Sequence, residues 1–297
     1  MTATRAFPRA AKWLATGLSF AMGFMAAGPV YSSDRLPENA ERIVAIGGSV
    51  TEIVYALGEQ DRLVARDSTA SYPEQALALP DVGYMRALSP EGVLSVKPDG
   101  ILAIEGSGPP EAVSVLASAG VPFVTVPEGY SGAAIRQKIQ AIGAALGVDG
   151  KAEALSEKVG ADLTDAVEAA HKLNRKSRVL FVLSYTDGRV LASGTGTAAD
   201  AIIKMAGAQN AVVGFPGYKQ LNEEAIAAAA PDVILMMDRG EGGHASAGIL
   251  EHAAIAQTPA GKEKRLIKMN GLYLLGFGPR TASAVRELSD DLADYGL

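Results

Sequence analysis

The feature that most constrains the fold is an alternation of short apolar runs with helical patterns, which occurs twice along the chain. In the first half, apolar runs such as residues 42–47 alternate with amphipathic segments such as residues 49–58. Strands interleaved with helices are typical of parallel sheets of the α/β class. From residue 131 to about residue 173 the pattern is helical, broken only at residues 147–150, and the alternation then resumes. The chain is therefore predicted to contain two α/β parts separated by helices.

The two α/β parts resemble each other in sequence. Residues 91–105 and 223–238 each begin with a helical pattern that opens on glutamate, continue through Pro-Asp and end in an apolar run. Glu91 and Glu224 each lie seven residues before the proline of that pair. We therefore expect two similar α/β lobes with parallel central sheets, joined by one long rigid helix and enclosing a ligand cleft. A single continuous doubly wound sheet is the alternative architecture.

This organisation predicts where the lobes begin and how far they move. The expected boundaries are residues 1–32 for a signal peptide, 33–148 for the N-terminal lobe, 149–174 for the linking helix and 175–297 for the C-terminal lobe. Lobes joined by one rigid helix can move only a little against each other, so the cleft is expected to be largely preformed. Within the first lobe, Ser49 is predicted to cap a helix, with Glu52 at the capping-box position.

The first thirty residues have the layout of a secretory signal peptide. Arg5, Arg9 and Lys12 precede a short apolar run, and small residues follow it. The run is shorter than the roughly 20 apolar residues that span a bilayer, which favours a cleaved signal over the alternative of a transmembrane anchor. Cleavage is predicted between Ser32 and Ser33, and the protein is predicted to lie in the periplasm.

Charge and cysteine content exclude several classes of function. Removal of residues 1–32 takes away three cations and no acids, so the net charge falls from −6 to −9. A chain this acidic, without a block of Lys and Arg, is a poor partner for nucleic acid or for an anionic membrane surface. The absence of cysteine excludes a lipoprotein anchor, a disulfide framework and a thiolate metal site.

Motifs that would indicate an enzyme are weak. Residues 194–199, Gly-Thr-Gly-Thr-Ala-Ala, match a dinucleotide-binding pattern, but the next strand, near Val212, does not end in an acidic residue that could hold a ribose. A loop that leads into a helix at the cleft is the favoured interpretation, and a secreted dinucleotide-dependent oxidoreductase is the enzyme alternative. The three histidines, His171, His244 and His252, are not spaced for a joint metal site on one helix face. Since neither a nucleophile motif nor a carboxylate pair is present, the protein is predicted not to be an enzyme.

Tyr84 and Arg86 form the candidate ligand-binding motif, within residues 81–92. In an extended segment the two side chains point to the same side. A phenol with a pKa of roughly 10 needs about 4 kcal/mol of stabilisation to ionise at neutral pH. An Fe(III) centre can supply most of that stabilisation, and a neighbouring guanidinium assists. The spacing alone leaves two interpretations open, an oxygen ligand or a ring packed at the cleft rim beside a solvated arginine.

With these motifs assembled, the mature chain resembles the substrate-binding proteins of ABC importers whose lobes are joined by one rigid helix. That class includes binders of siderophores, cobalamin and haem. The segment Val-Gly-Tyr-Met-Arg-Ala-Leu-Ser-Pro-Glu-Gly, residues 82–92, resembles the periplasmic haem-binding proteins that deliver haem to an inner-membrane permease. In that subfamily the tyrosine of the Gly-Tyr-x-Arg segment is the axial ligand of the haem iron, and the arginine hydrogen-bonds its oxygen. The resemblance implies these roles for Tyr84 and Arg86.

The resemblance also implies further residues of the haem site. Arg239 is the candidate from the second lobe, either near the tyrosinate or at a haem propionate, and Arg66 is a further haem-binding candidate. Tyr130 and Met205 are weaker candidates to line the cleft. Should a second haem stack on the first, His244 is the loop histidine that could ligate it.

Docking residues follow from the same resemblance. In this importer class one surface glutamate on each lobe meets arginines of the permease. Glu91 and Glu224 occupy corresponding places in the repeat, and Glu223 is an alternative to Glu224. Their other interpretation is that of helix N-terminal acids, which suit the helix dipole.

The predicted function is capture of haem b as a transported ligand and its delivery to an inner-membrane ABC permease and its ATPase, by a monomeric carrier. An anionic oxygen ligand favours Fe(III), the form expected outside the cytoplasm. A ferric-siderophore or cobalamin carrier of the same fold is the alternative.

Overall fold

The computed structural model describes residues 35–174, 176–238 and 248–297. The predicted signal peptide, Arg239 and His244 lie outside these ranges. Within them, no helix combines the length and the apolar character that crossing a membrane requires.

The first half of the chain folds around a parallel sheet, as predicted. Its strands run in the order β2-β1-β3-β4 and are β1 (Ile43–Ile46), β2 (Leu63–Arg66), β3 (Gly100–Ile104) and β4 (Phe123–Val126). The helices of this half are α1 (Gly48–Ala56), α2 (Pro90–Ser95), α3 (Pro110–Ser118) and α4 (Gly132–Leu146). Every residue of β1 and β3 is buried, because helices cover both faces of the sheet.

The start of α1 differs from the prediction. The helix follows Gly47, whose φ of 109° is available to glycine, and no side chain caps it. Ser49 instead accepts a hydrogen bond from the Lys138 ammonium at 3.3 Å. The Glu52 carboxylate turns away from the helix terminus and pairs with Arg280. The prediction of a capping box is therefore wrong, because partners distant in sequence bind both side chains.

The helical stretch forms two adjacent helices, α4 and α5 (Asp149–Lys172), as the break at residues 147–150 predicts. Gly147 ends α4 in the left-handed conformation, with φ of 74°. One face of α5 is buried, and its residues recur at helical spacing: Ala152, Ser156, Val159, Leu163, Ala166 and Ala170. The helix occupies most of the predicted linking segment.

A close approach between α4 and α5 gives a testable prediction. A Cβ at Gly143 would collide with the Cβ of Ala152, whereas Gly150 of α5 has open space around it. We expect Gly143→Ala to destabilise the protein by about 1–3 kcal/mol through overpacking. Gly150→Ala is the matched control and is expected to stabilise by about 0.5 kcal/mol, because alanine favours helix. Urea unfolding measures both; a neutral Gly143→Ala would contradict the contact.

The second half folds around a mixed sheet. Its main strands run in the order β10-β9-β5-β6-β8, and β7 pairs separately with β5. The strands are β5 (Arg178–Thr186), β6 (Arg189–Ser193), β7 (Gln209–Asn210), β8 (Tyr218–Leu221), β9 (Val233–Asp238) and β10 (Leu266–Asn270). The helices are α6 (Ala198–Met205), α7 (Glu223–Ala229), α8 (Ala253–Ala256), α9 (Pro259–Lys262), α10 (Gly271–Leu275) and α11 (Thr281–Asp294).

The mixed character of this sheet corrects the prediction of two parallel sheets. Strands β5, β9 and β10 are parallel, but β6 is antiparallel to both β5 and β8. The cause is a two-residue hairpin of Asp187 and Gly188, whose φ angles of 52° and 74° suit the turn that joins antiparallel strands. Apart from this hairpin, the predicted α/β class with two similar halves is confirmed.

One hydrophobic core connects the two halves. Buried side chains in mutual contact run from Ile43 in the first sheet through Ile139 of α4 and Leu163 of α5 to Phe181 of β5 and Leu288 of α11. Helix α5 packs against α4 and α11. The halves are therefore held together by packed side chains as well as by the chain itself.

Candidate ligand cleft

Loops at the carboxyl ends of the strands bring the two halves face to face. Helix α10, which directly follows β10, lies against the first turn of α1, which follows β1, so closely that a Cβ on Gly48 would lie 2.6 Å from Leu272. In the same region the rings of Tyr130 and Phe277 meet edge to face, with centroids 5.2 Å apart. Ligands of α/β proteins bind at the carboxyl ends of the strands, so this region is the candidate cleft.

Tyr84 is an exposed aromatic on a fixed backbone. It lies between β2 and α2, and 47% of its surface is accessible. The residues on both sides of it are hydrogen-bonded within the first half. Gly83 N donates to the Asp81 carboxylate at 2.8 Å, and the Gly83 carbonyl accepts from Ser68 N at 2.9 Å. On the other side, the Met85 carbonyl accepts from Gly108 N at 2.9 Å. An exposed phenol on an immobilised backbone is suited to bind a ligand with little loss of conformational entropy.

Arg86 is also exposed and lies near the phenols of Tyr130 and Tyr218. Burial raises the pKa of Tyr130, the Glu128 carboxylate raises it further, and the Arg86 charge only partly opposes the shift. Burial likewise raises the pKa of Tyr218, against a hydrogen bond from Thr197 and the Arg86 charge. These two phenols are therefore poor sources of a phenolate, although the charge of Arg86 favours ionisation of both.

Tyr218 is a cleft residue that the sequence analysis missed. It belongs to β8 of the second half, and 37% of its surface is exposed. It follows Gly217, with φ of 75°, as Tyr84 follows Gly83, with φ of 100°. Each Gly-Tyr pair stands shortly before a helix of the internal repeat, α2 or α7. The repeated Gly-Tyr dipeptide is the sequence signal that could have identified Tyr218 as a cleft residue.

Arg66 does not point where the sequence prediction placed it. The residue is 9% exposed, and its guanidinium donates to the Ala76 carbonyl at 3.1 Å, the Asp67 carbonyl at 3.0 Å and the Asp81 carboxylate at 3.2 Å. These contacts fasten the loop after β2 and leave the guanidinium occupied inside the protein. The geometry thus assigns Arg66 a structural role, in place of the predicted contact with the ligand.

The weaker candidates occupy two different regions. Tyr130 lies in the cleft, as described above. Met205 lines a hollow of about 640 Å³ between α4, α5 and α6, together with residues such as Arg136 and Leu163. Neither Tyr84 nor Arg86 lines that hollow.

In the glycine-rich loop of residues 194–199, the first three backbone amides are already hydrogen-bonded within the protein. Gly194 N and Thr195 N donate to the carbonyls of Gly217 and Phe215, and Gly196 N donates to the Asp200 carboxylate. Strand β6, which precedes the loop, is antiparallel to its neighbours, whereas dinucleotide sites follow a parallel strand. The contacts therefore support the cleft-loop interpretation and oppose the dinucleotide alternative.

Two charged contacts join the halves beside the cleft, and neither was predicted. Arg280 donates to both oxygens of Glu52, at 3.0 and 2.9 Å, while its guanidinium lies 3.5 Å from the ring centroid of Tyr72. Lys138 has no exposed side-chain surface and donates to the Glu128 carboxylate at 2.7 Å and to the Phe277 carbonyl at 3.3 Å. Burial lowers the pKa of Lys138, and Glu128 opposes the shift. These pairs fix the floor of the cleft.

The described residues contain no cluster of three or more His, Asp or Glu side chains that could hold a metal ion.

Comparisons with known proteins define the class of this chain. Residues 43–271 match the model of a family described as periplasmic binding protein. The chain belongs to this family of periplasmic binding proteins. Members of the family are substrate-binding transport proteins.

Solved structures place the chain close to haem-binding members. The periplasmic haem-binding protein BhuT in complex with two haems is 42% identical, with a TM-score of 0.79, over 85% of this chain and 98% of BhuT. The periplasmic haem-binding protein RhuT from Roseiflexus sp. RS-1, in apo form, is 39% identical, with a TM-score of 0.82, over 87% of this chain and 100% of RhuT. The predicted resemblance to binding proteins of haem importers is thus confirmed.

Curated relatives add the transporter type. The uncharacterized ABC transporter substrate-binding lipoprotein YvrC from Bacillus subtilis strain 168 is 28% identical over 260 residues, which are 86% of this chain and 81% of YvrC. A shorter match of 84 residues, 40% identical, covers 28% of this chain and 30% of a vitamin B12-binding protein from Yersinia pestis strain Pestoides F. The protein is a periplasmic substrate-binding protein of the ABC transporter type.

Proposed function

We propose that this protein captures haem b in the cleft between its halves, with the phenolate of Tyr84 on the iron, and delivers it to the permease and its ATPase. The observation that carries the proposal is the exposed Tyr84 ring on a backbone hydrogen-bonded on both sides. The haem-bound and apo relatives, at 42% and 39% identity, support the ligand class.

Each side chain has a distinct task in this proposal. Tyr84 supplies one anionic oxygen to Fe(III), and the iron and the Arg86 guanidinium together stabilise the phenolate. Tyr130 and Tyr218, whose raised pKa values disfavour ionisation, contribute aromatic surface for the flat macrocycle. Arg239, beyond the described residues, stays the proposed cation of the second half for the tyrosinate or a propionate. A single protein ligand on the iron leaves the haem easy to release.

A titration with hemin tests the proposal. We expect the purified apo-protein to saturate near one equivalent and to develop the charge-transfer band of an Fe(III) tyrosinate in the visible spectrum. Binding without that band would contradict Tyr84 as the ligand. A second haem, as BhuT holds, would appear as a further saturating step.

Cobalamin is the second candidate ligand, because the shorter curated match is to a vitamin B12-binding protein. Cyanocobalamin and a ferric hydroxamate siderophore are the competitors in the same titration. We expect neither to displace haem at a tenfold excess. Displacement by either compound would assign the cleft to that ligand instead.

Docking to the permease is proposed at two matched glutamates. Glu91 and Glu224 are exposed in the first turns of α2 and α7, each shortly after a cleft tyrosine. We expect Glu91→Arg combined with Glu224→Arg to leave the hemin titration unchanged and to abolish haem uptake by cells that depend on this carrier, because the new charges repel the arginines of the permease. Glu223 is the neighbouring acid that could share this task.

The matched control for docking reverses the same amount of charge elsewhere. Glu153→Arg with Glu168→Arg changes two exposed residues of α5 and is expected to keep uptake within about twofold, as surface charges remote from an interface have small effects. Equal loss of uptake in both double variants, or loss of haem binding in the docking variant, would refute the docking sites.

A further inference from the structure

Asp67 is a buried carboxylate at the point where three segments of the cleft loops meet. It directly follows β2 and has no exposed surface. Its oxygens accept hydrogen bonds from Gly47 N at 2.9 Å, Thr69 N at 3.1 Å, the Thr69 hydroxyl at 2.9 Å and Met85 N at 3.2 Å. The donors belong to the turn after β1, the loop after β2 and the segment that carries Tyr84.

The arrangement uses both oxygens of one side chain. One oxygen holds the turn after β1, and the other holds Thr69 N and Met85 N together. Burial raises the pKa of Asp67, and the hydrogen bonds from these three segments oppose that shift. Each buried donor that loses its acceptor costs free energy, so the carboxylate keeps the three segments in one relative position.

From these contacts we infer that Asp67 is a positioning residue, which aims the Tyr84 phenol into the cleft through the peptide group of Met85. This inference rests on the proposed function, because it assigns to Asp67 the direction of the ligand oxygen. Asp67 has no exposed surface, so in this inference it acts through the backbone that carries Tyr84. Residues that orient a metal ligand in this way alter the affinity of the metal site by roughly 10- to 100-fold when they are replaced.

The decisive variant is Asp67→Asn, because an amide presents one acceptor oxygen in place of two and sets its NH2 group against a backbone N–H. We expect the dissociation of haem, measured by transfer to apomyoglobin, to accelerate at least about tenfold, and the charge-transfer band to shift. In the apo-protein, we expect hydrogen exchange of the Met85 amide to accelerate about tenfold, since its acceptor is lost.

Asp99→Asn is the matched structural control. Asp99 accepts hydrogen bonds from the backbone of Glu41 and Arg42, each at 2.9 Å, at the amino-terminal ends of β1 and β3, away from the cleft end of the sheet. We expect it to lower stability without altering haem dissociation beyond about twofold. Equal acceleration by both variants, or no acceleration with Asp67→Asn, would overturn the inference.

Variants of Thr69 provide a second test of the inference, which remains usable if the Asp67→Asn protein does not fold. Thr69→Val removes the hydroxyl that Asp67 accepts from, whereas Thr69→Ser retains it. We expect Thr69→Val to accelerate haem release severalfold and Thr69→Ser to leave it unchanged; identical behaviour of the two would refute the role of this hydrogen bond. The exchange rate of the Met85 amide does not involve haem, so it tests Asp67 even if Tyr84 is not the ligand.

Discussion

Replacing Tyr84 with phenylalanine is expected to abolish the charge-transfer band of the haem complex and to weaken haem binding by at least about 100-fold, a loss of about 2.7 kcal/mol. The ring and its packing remain, so the change removes only the oxygen that we propose to bind Fe(III). Visible spectroscopy during a hemin titration measures the band, and transfer to apomyoglobin measures the rate of release.

Two other cleft tyrosines serve as matched controls for that loss. Tyr72 is 42% exposed, but the Arg280 guanidinium covers its ring, and burial raises the pKa of Tyr218. We expect Tyr72→Phe and Tyr218→Phe to keep the band and to alter affinity no more than about threefold. If Tyr84→Phe keeps the charge-transfer band and one of the control variants loses it, the tyrosine replaced in that control is the iron ligand instead of Tyr84.

Replacing Glu52 with glutamine is expected to produce the largest loss of stability. Its carboxylate is 6% exposed and receives two side-chain hydrogen bonds from Arg280, whose side chain is 26% exposed. Removing one partner of a buried pair costs about 3–5 kcal/mol, and the partial exposure of Arg280 reduces the expected loss to about 2–3 kcal/mol. Since about 1 kcal/mol corresponds to roughly 2–4 °C in a chain of this size, calorimetry should show a fall in Tm of roughly 5–10 °C.

An exposed ion pair of the same chain provides the control. Asp187 and Arg189 lie 3.6 Å apart, with 80% and 64% of their side chains exposed. Asp187→Asn retains a residue that tolerates the left-handed turn and is expected to alter stability by less than about 0.5 kcal/mol. Equal stability of the Glu52→Gln and wild-type proteins would show that this contact does not fasten the halves.

The Glu52–Arg280 pair is also expected to limit the opening of the cleft. Because the chain lacks cysteine, Ser118→Cys with Gln257→Cys, on exposed positions of the two halves, accepts spin labels at those places alone. We expect double electron–electron resonance to give a broader distribution of distances between the two labels in the Glu52→Gln protein than in the labelled protein with Glu52. The reason is that one of the two charged contacts at the floor of the cleft is broken. An unchanged distribution would assign the rigidity to α5 and the shared core.

Sequence patterns predicted much of the fold and one side of the cleft. The alternation of apolar runs, the break at residues 147–150 and the positions of Glu91 and Glu224 all depend on neighbours within a few residues, so they could be read locally. The Asp-Gly turn at residues 187–188 was an equally local signal of an antiparallel pair, and it was overlooked. Tyr84 and Arg86 were singled out by a motif, and their role as haem contacts stays a prediction.

The remaining features involve partners far apart along the chain. Glu52 and Arg280 are separated by 228 residues, so the local capping pattern around Glu52 competed with a partner that the pattern could not reveal. Arg66 was predicted at the ligand, but its guanidinium is occupied by the Asp81 carboxylate and by two backbone carbonyls of the loop after β2.

Local periodicity was sufficient to establish the class of fold, the two related halves and the helices between them, because backbone hydrogen bonding and amphipathic spacing act over short segments. The mutual arrangement of side chains at the cleft floor followed only from tertiary contacts. Asp67, Lys138 and Tyr218 acquire their roles when strands and loops distant in sequence come together, and a buried charge takes its meaning from the partners that surround it.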